Sequence, residues 1–431
     1  MSAVSDAERW IVVTEEPFLP ADAGGRVETF GFLTAASNAG IRTQVLVPTK
    51  GDLDVGAAEK ALPGAAVIRL PRDTSPLAHL RTRPYMHASR PVGPLRRALL
   101  ATPPRADAVI SYSFRSARLG EEIARVWRLP HLVRAHNVES AYFRALARGS
   151  GGPRAAAYEL EHRKLLFAER ALHHSPLVTA IADISLDDHE WRRERTSVRT
   201  LHLPPFLPLR ALATGAAGTP AVPAPRGAGP TVVFVGSLDT PPNIEALRWF
   251  VDGCWPGVRA RQPDAVLRVV GRRPEPGLAD WLRGIPGAEL FTDVPSVDDY
   301  VATATVSVNP MRSGSGVNIK AIAAMALGTP VVSTTTGSRG LGWTPARFWP
   351  TETPARFGPT ETPAGSGLAG AHLVVADEPA AFAAAVCGLL AAPREAARLG
   401  DSGRAYVRRT LDHEALIQRI RDQLAARQPT G

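Results

Sequence analysis

Asn309 to Val332 reads NPMRSGSGVNIKAIAAMALGTPVV. The apolar run Val306-Ser307-Val308 ends at Asn309-Pro310, which marks the carboxyl end of a strand. Gly314-Ser315-Gly316 then opens a helix over Asn318 to Leu327, and Gly328-Thr329-Pro330 stops it and starts the next strand at Pro330 to Val332. Strand, glycine turn, helix and strand in that order are the repeating unit of a parallel α/β sheet. The turn also has a chemistry. Glycines let consecutive backbone N–H groups face an anion, and a helix N-terminus contributes about half a positive charge. Lys320 adds a full charge, with Arg312, Val317 and Asn318 in the same segment. The pattern reads as a phosphate site, although its spacing is neither that of a Walker A loop nor that of a dinucleotide GxGxxG.

The same grammar extends in both directions. Upstream, Thr231 to Val235 is a strand that ends at Gly236-Ser237, and Pro241-Pro242 introduces a helix over Asn243 to Val251. Val266 to Val270 ends at Gly271-Arg272-Arg273-Pro274, and Leu290-Phe291 is a further strand. The first two of these strands each place a glycine at the carboxyl end, where ligands gather in open parallel sheets. Arg272 and Arg273 also fit the plainer role of solvated loop charges.

Ala211 to Pro230 is dense in Ala, Gly and Pro and reads as a linker. Before it, strands at Trp10–Val13, Gln44–Val47, Val67–Leu70, Val109-Ile110 and His131–Val133 alternate with helices at Val27–Ala39 and Leu119–Trp127. Two α/β domains in tandem are expected, over 1–210 and 231–402, with a closing helical segment over 403–431. An insertion over 343–370 holds a tandem copy, ARFWPTETP (Ala346–Pro354) followed by ARFGPTETP (Ala355–Pro363). Its prolines forbid a central strand or helix. It reads as an enlarged surface loop, or as a lid carrying Trp343, Phe348, Trp349 and Phe357.

Composition bounds the class. With 431 residues, 45% hydrophobic and 21% charged, the chain is not wholly disordered, fibrous or membrane-spanning. Its net charge of +9 is uneven: residues 1–210 hold 29 basic and 22 acidic side chains, or +7, which leaves +2 for the remainder. Only Lys50, Lys60, Lys164 and Lys320 are lysines, and that arginine bias reads first as the mark of a GC-rich, bacterial genome. Cys254 and Cys387 fit no disulfide framework or metal spacing, and the first ten residues have no apolar signal region, so a cytoplasmic location is expected.

The first domain carries two candidate motifs. EPFLPADAGGR (Glu16–Arg26) sets Gly24-Gly25 and Arg26 between the first strand and the first helix, where amides and a guanidinium can meet a phosphate. RAHNVESAY (Arg134–Tyr142) sets His136, Asn137 and Glu139 beyond a strand end, where a histidine can donate to a hydroxyl or move a proton. An ordinary glycine turn and a satisfied surface histidine are the structural alternatives. His79 to Leu100 holds Arg81, Arg83, Arg90, Arg96 and Arg97 without an acid. It reads either as a solvated arginine surface or as a basic patch for an anionic membrane or a lipid-phosphate acceptor. Aromatics do not interleave with it, which argues against nucleic acid. Asp52-Leu53-Asp54 reads as a solvated turn rather than a metal site.

Together these segments resemble the retaining GT-B glycosyltransferases of group 1 (glycosyltransferase family 4-like). The carrying residues are VFVGSLDTPPNIEALRWF (Val233–Phe250), VVGRRP (Val269–Pro274) and the run Asn309 to Leu341, with weaker support from Val13–Arg26, RAHNVES (Arg134–Ser140), Glu161, Glu169 and LVTAIADIS (Leu177–Ser185). The resemblance implies two Rossmann-like domains facing a cleft, with a C-terminal helix crossing back to the first domain. It implies transfer of a hexose from a nucleoside-diphosphate sugar to an acceptor hydroxyl with retention, and neither metal nor other cofactor. Gly24, Gly25, Arg26, Gly236, Ser237, Arg272 and the segment Gly314, Ser315, Gly316, Val317 and Asn318 would hold the donor. His136 and Lys320 would act in transfer, with Asn137 and Glu139 on the acceptor side; the acceptor would be anionic or lipid-linked, if the basic front half speaks of it. Two departures stand out. Similar enzymes carry two glutamates with seven residues between them in the glycine-rich segment, and here those places hold Ser315 and Ala323. The usual Arg and Lys after the second domain's first strand are also missing from Ser237–Pro242. A catalytically silent GT-B protein that binds a nucleotide or scaffolds a partner is therefore the alternative, and a sugar-nucleotide epimerase a third reading.

Overall fold

In the first half, short apolar runs become strands, and the central ones are covered on both faces. The seven are β1 (Arg9–Val13), β2 (Arg42–Thr49), β3 (Ala65–Pro71), β4 (Ala108–Ser111), β5 (His131–Ala135), β6 (Ala180–Asp183) and β7 (Arg199–His202). They form one parallel sheet in the order β3-β2-β1-β4-β5-β6-β7. Ile11, Val12 and Val13 of β1 are wholly buried, as a central parallel strand requires. The computed structural model describes residues 7–21, 24–101, 105–208, 229–314, 316–340, 342, 345–347 and 371–426.

The second half repeats the plan with β8 (Thr231–Ser237), β9 (Val266–Arg272), β10 (Ala288–Thr292), β11 (Val306–Asn309), β12 (Val331–Ser333), β13 (Pro345–Arg347) and β14 (Leu373–Val375). Their order is β10-β9-β8-β11-β12-β14-β13, again all parallel. In both sheets the strand order reverses beside the first strand, between β1 and β4 and between β8 and β11. Such switch points are where doubly wound sheets place ligands. The expected α/β class, with two Rossmann-like halves, is what the chain adopts.

The chain divides into two units. One comprises Met1–Pro208 with Leu411–Gly431, the other Leu209–Thr410. Each has its own core. In the first, Trp10, Phe32 and Phe206 pack with Leu416, Ile417 and Ile420; in the second, Phe234, Phe250, Trp255 and Phe382 pack together. The closing segment differs from the single helix expected from Gly403. Helix Pro393–Thr410 stays with the second unit, and helix His413–Ala425 packs on helix Gly24–Asn38 of the first. Asp412 causes the break, because its Oδ1 accepts from the amides of Glu414 and Ala415 and caps a new helix. Arg421 Nε then donates to Glu8 Oε2 at 2.8 Å, and Arg199 Nη1 to the Ala426 carbonyl at 3.0 Å. The C-terminal helix therefore does cross back, starting at His413.

Most of the sequence-expected linker 211–230 lies outside the described residues, but Pro230 already belongs to the sheet through Val266 N–H to its carbonyl, 3.0 Å. The insertion 343–370 lies outside them too, apart from 345–347. That triplet is β13, at the sheet edge with Pro345 as its first residue, the position a proline tolerates.

Candidate functional site

In the second unit the expected donor residues gather at the carboxyl ends of β8, β9 and β11. After β11 the backbone turns through Gly314 (φ +129°) and Gly316 (φ +76°), conformations that favour glycine. Ser315 lies outside the described residues. Asn318 occupies the N-cap position of helix Ile319–Leu327 but makes no side-chain cap; its carbonyl accepts from the Ala321 amide at 3.1 Å. Among the described residues, no side chain at the N-cap accepts from the first-turn donors of this helix.

Lys320 sits in that first turn, half-buried. Its Nζ donates to Asn243 Oδ1 at 2.7 Å, lies 3.5 Å from Met311 Sδ and stands 5.4 Å from the centre of the Phe234 ring. Burial pulls its pKa down to about 8. Asn243, in the first turn of helix Pro241–Gly253, in turn donates from Nδ2 to the Ser237 carbonyl at 3.0 Å. One amide side chain therefore ties the lysine to the end of β8. Sequence reading placed Asn243 only at a helix start; its signal was position, since it follows Pro241-Pro242 at the switch point.

The other residues of this unit divide. Gly236 and Gly271 are opposed in the β8–β9 register, and a Cβ on Gly271 would come within 2.1 Å of the Gly236 carbonyl oxygen, so close strand packing already demands that glycine. Arg272 Nε reaches Ser237 Oγ at 3.5 Å, which keeps Arg272 at the β8 end, whereas Arg273 pairs with Asp239 at 3.0 Å on the surface. Arg312 turns away: its Nη1 donates to the Asp377 carbonyl at 3.0 Å and its guanidinium lies over Trp249. Val317 lies in the half-buried turn, and Ala323 offers a methyl group on the half-exposed side of the helix.

In the first unit Gly24, Gly25 and Arg26 are not a loop before the helix. They are its first turn, helix Gly24–Asn38, and the glycines are exposed. Arg26 Nε donates to Glu16 Oε1 at 3.0 Å. One turn on, Glu28 is buried and accepts four bonds: Tyr112 OH at 2.7 Å, Arg134 Nη2 at 2.8 Å, Arg134 Nε at 3.2 Å and His136 Nε2 at 3.1 Å. Burial alone would raise its pKa; Arg134, His136 and Tyr112 outweigh it and hold the carboxyl near 2. An ionised Glu28 makes His136 Nε2 the protonated nitrogen, so the ring is oriented from behind. Arg134 is satisfied further by the carbonyls of Leu203 and Pro204.

Asn137 follows, half-exposed, and Glu139 begins helix Glu139–Arg148 with a buried side chain. Burial pushes the Glu139 pKa up, and its Oε1 lies 3.7 Å from Arg115 Nε. Arg115 Nη1 in turn donates to Glu15 Oε1 at 3.0 Å. His136, Glu28, Tyr112, Arg115, Glu15 and Glu139 thus form one polar cluster at the carboxyl ends of β1, β4 and β5. Glu28, Arg115 and Glu15 had no sequence signal, because their partners lie as much as 108 residues away.

The basic stretch 79–100 is not one amphipathic surface. Pro84 and Pro91 divide it among helices Leu77–Leu80, Tyr85–Ala88 and Val92–Ala101. Arg90 is buried, donating to the carbonyls of Met86 (2.7 Å) and Glu15 (2.6 Å), while Arg81 pairs with Asp73 and Arg96 with Glu122. Asp54 caps helix Val55–Ala61 and Asp52 pairs with Arg69. Among the described residues, no three His, Cys, Asp or Glu side chains converge on a point suited to a metal ion.

Comparison with known proteins agrees with this architecture. Residues 229–344, which hold β8 to β12 and the glycine turn, match the family described as Glycosyl transferases group 1. Over 119 residues the chain is 32% identical to an uncharacterised 44.6 kDa protein in the cps region of Klebsiella pneumoniae, a match covering 26% of this chain and 30% of that protein. Solved structures similar in fold include sucrose-phosphate synthase from Thermosynechococcus elongatus (TM-score 0.67, 17% identity, 97% of this chain and 99% of that one). Anabaena HepE in complex with UDP and glucose aligns at TM-score 0.61 and 12% identity, over 97% of this chain and 100% of that one. WaaG, a glycosyltransferase involved in lipopolysaccharide biosynthesis, aligns at 0.62 and 14%, over 97% and 100%. The fold is that of the GT-B glycosyltransferases.

Proposed function

We propose that the protein transfers a hexose from a nucleoside-diphosphate sugar to an acceptor hydroxyl, with retention of configuration and without a metal ion. The observation that carries this reading is the glycine turn and Lys320–Asn243 pair at the second sheet's switch point, inside the segment that matches group 1 glycosyltransferases. The amides around Gly314 and Gly316, the helix N-terminus and Lys320 meet the diphosphate and stabilise the charge that grows on it as the glycosidic bond breaks. Gly236, Ser237, Arg272, Val317 and Asn318 border that donor, and Gly24, Gly25 and Arg26 contribute a second helix start for its phosphates. The acceptor oxygen bonds to the anomeric carbon on the face the diphosphate leaves, and its proton passes to the departing phosphate oxygen. His136, held by Glu28, orients the sugar or the acceptor, with Asn137 and Glu139 beside it. That UDP accompanies glucose in HepE supports a uridine donor as the first to try.

The test is nucleotide release from uridine and guanosine diphosphate sugars in a chelating buffer. Release is expected with one of them, and Lys320→Ala should lower it about 100-fold or more. Turnover unaffected by Lys320→Ala would refute the assignment. Ala323 favours a second reading, a silent nucleotide-binding protein, because its methyl cannot accept a ribose hydroxyl hydrogen bond. Thermal stabilisation by a nucleoside diphosphate without turnover of any donor would select it.

A further inference from the structure

Most buried polar atoms in folded proteins have a hydrogen-bond partner, and one that has none needs a reason. In the first unit Arg72, Arg90 and Arg115 each keep a buried Nε with no hydrogen-bond partner among the described residues. The three are neighbours at the carboxyl ends of the sheet. Arg72 directly follows β3, and its amide donates to the Thr49 carbonyl of β2 at 3.1 Å. Arg115 lies in the turn Phe114–Ser116 after β4. Arg90, only 3% exposed, stands between helices Tyr85–Ala88 and Val92–Ala101 and reaches the Glu15 carbonyl just beyond β1. Arg72 and Arg115 are half-buried, so solvent reaches the group past them.

Two of these guanidinium groups converge on one atom. Ser89 Oγ accepts from Arg72 Nη2 at 3.3 Å and from Arg90 Nη1 at 3.4 Å, both long bonds to a neutral oxygen. Neither arginine pairs with a carboxylate among the described residues. The nearby acids are engaged elsewhere: Glu15 with Arg115 at 3.0 Å, Glu16 with Arg26 at 3.0 Å, and Glu139 with Arg115 at 3.7 Å. Burial, and after it the charge of Arg72, pulls the Arg90 pKa down to about 9. Two like charges held together under protein are unfavourable until an anion shares them. Guanidinium groups offer parallel N–H donors to an oxyanion, and a phosphate monoester carries nearly two negative charges at neutral pH, whereas a carboxylate brings one.

We propose that Arg72 and Arg90, with Arg115 at their edge, form a binding site for a phosphate monoester in the first unit. Glu15 joins this site to the His136 cluster, since its carbonyl accepts from Arg90 and its carboxylate from Arg115. The monoester belongs to the acceptor. That last assignment rests on the transferase reading, whereas the anion site does not, because it is measured without a donor.

Isothermal titration of the full chain tests it, at constant ionic strength and at about pH 8, where a phosphate monoester is a dianion. The probes are glycerol phosphate and dodecyl phosphate, which carry the same group on a soluble and on a lipid-like body, with acetate as the singly charged control. One or both phosphates should bind, and acetate about tenfold more weakly or less. Arg90 also holds two carbonyls, so the variants are made at Arg72, whose side chain bonds only Ser89 among the described residues. Arg72→Gln should weaken the phosphate about tenfold or more, and Arg72→Lys should keep part of the affinity. Without any anion, Arg72→Gln should melt no lower than the wild type, because it removes one of two adjacent like charges. A lowered melting temperature in that variant would make Arg72 a structural residue and overturns the proposal. So does phosphate binding that Arg72→Gln leaves unchanged, acetate that binds as tightly as the phosphates, or no binding of either phosphate. Tighter binding of dodecyl phosphate than of glycerol phosphate, lost in Arg72→Gln, supports the site and puts the monoester on a lipid; the opposite order supports it with a soluble molecule.

Discussion

Lys320 and Glu28 are opposite answers to the same problem of a charge under protein. Glu28 is compensated on every side, and its pKa near 2 means the folded state favours its ionised form. That stabilisation is full above the unfolded value near 4.5 and disappears as pH falls through 2, a contribution of about 3 kcal/mol. Glu28→Gln should therefore cost about 3–5 kcal/mol at neutral pH, since Arg134 is left buried with only carbonyl partners. The gap from wild type should close as pH approaches 2, which urea melts across that range would register. Lys320 has no carboxylate partner among the described residues, and burial lowers its pKa from 10.5 to about 8. Between those values the unfolded chain binds the extra proton, so this group makes stability rise with pH. Lys320→Met should accordingly stabilise the protein at pH 7 by roughly 1–3 kcal/mol while weakening nucleoside diphosphate binding. In the wild type that binding should fall as pH climbs through about 8 and should take up a proton there, a calorimetric signal the methionine variant lacks. Unchanged pH dependence in the variant would remove Lys320 from the phosphate site.

At the scale of elements, the parts that could be read from the sequence are those whose cause is local. β1, β8 and β11 announce themselves as apolar runs, and Gly314-Ser315-Gly316 announces the turn, because strand burial and positive φ are written in single residues. Gly24-Gly25 suggests a loop, yet the helix begins at Gly24, with Thr29 Oγ1 donating to the Gly25 carbonyl at 2.8 Å. The Glu28–Arg134–His136 cluster could not be read, since only the sheet order brings β1, β4 and β5 together. The final helix lies between these cases. Asp412 is a legible cap, but nothing local says that Leu416, Ile417 and Ile420 will cover Phe32 and Phe206 of the other end of the chain. Ile417→Ala should cost 2–5 kcal/mol and Asp412→Ala about 1 kcal/mol, both read as a lowered midpoint of the first unit's thermal transition. If Ile417→Ala leaves that midpoint unshifted, the helix does not complete the core.

For the molecule as a whole, connectivity sets up an asymmetry between units that look alike. The second unit is one continuous stretch, with all seven strands and its core inside 229–410. The first is discontinuous and lacks three buried side chains until the chain has returned from the second. At about 1.5–3 kcal/mol for each apolar side chain buried, that deficit rivals the whole stability of a domain. A chain of residues 1–208 should therefore fail to fold alone, whereas residues 229–410 should fold and melt cooperatively. Every donor contact assigned to Gly236, Ser237, Arg272, Gly314, Val317, Asn318 and Lys320 lies within that second fragment, so it should also bind a nucleoside diphosphate, while His136 and Glu28 are absent from it. Titration of the fragment and of the full chain with the same nucleotide decides the matter. Affinities within about tenfold mean that the second unit supplies most of the binding energy and the first mainly the acceptor side. A folded fragment with no affinity would move the phosphate contacts to Gly24, Gly25 and Arg26, and the glycine turn would then be structural.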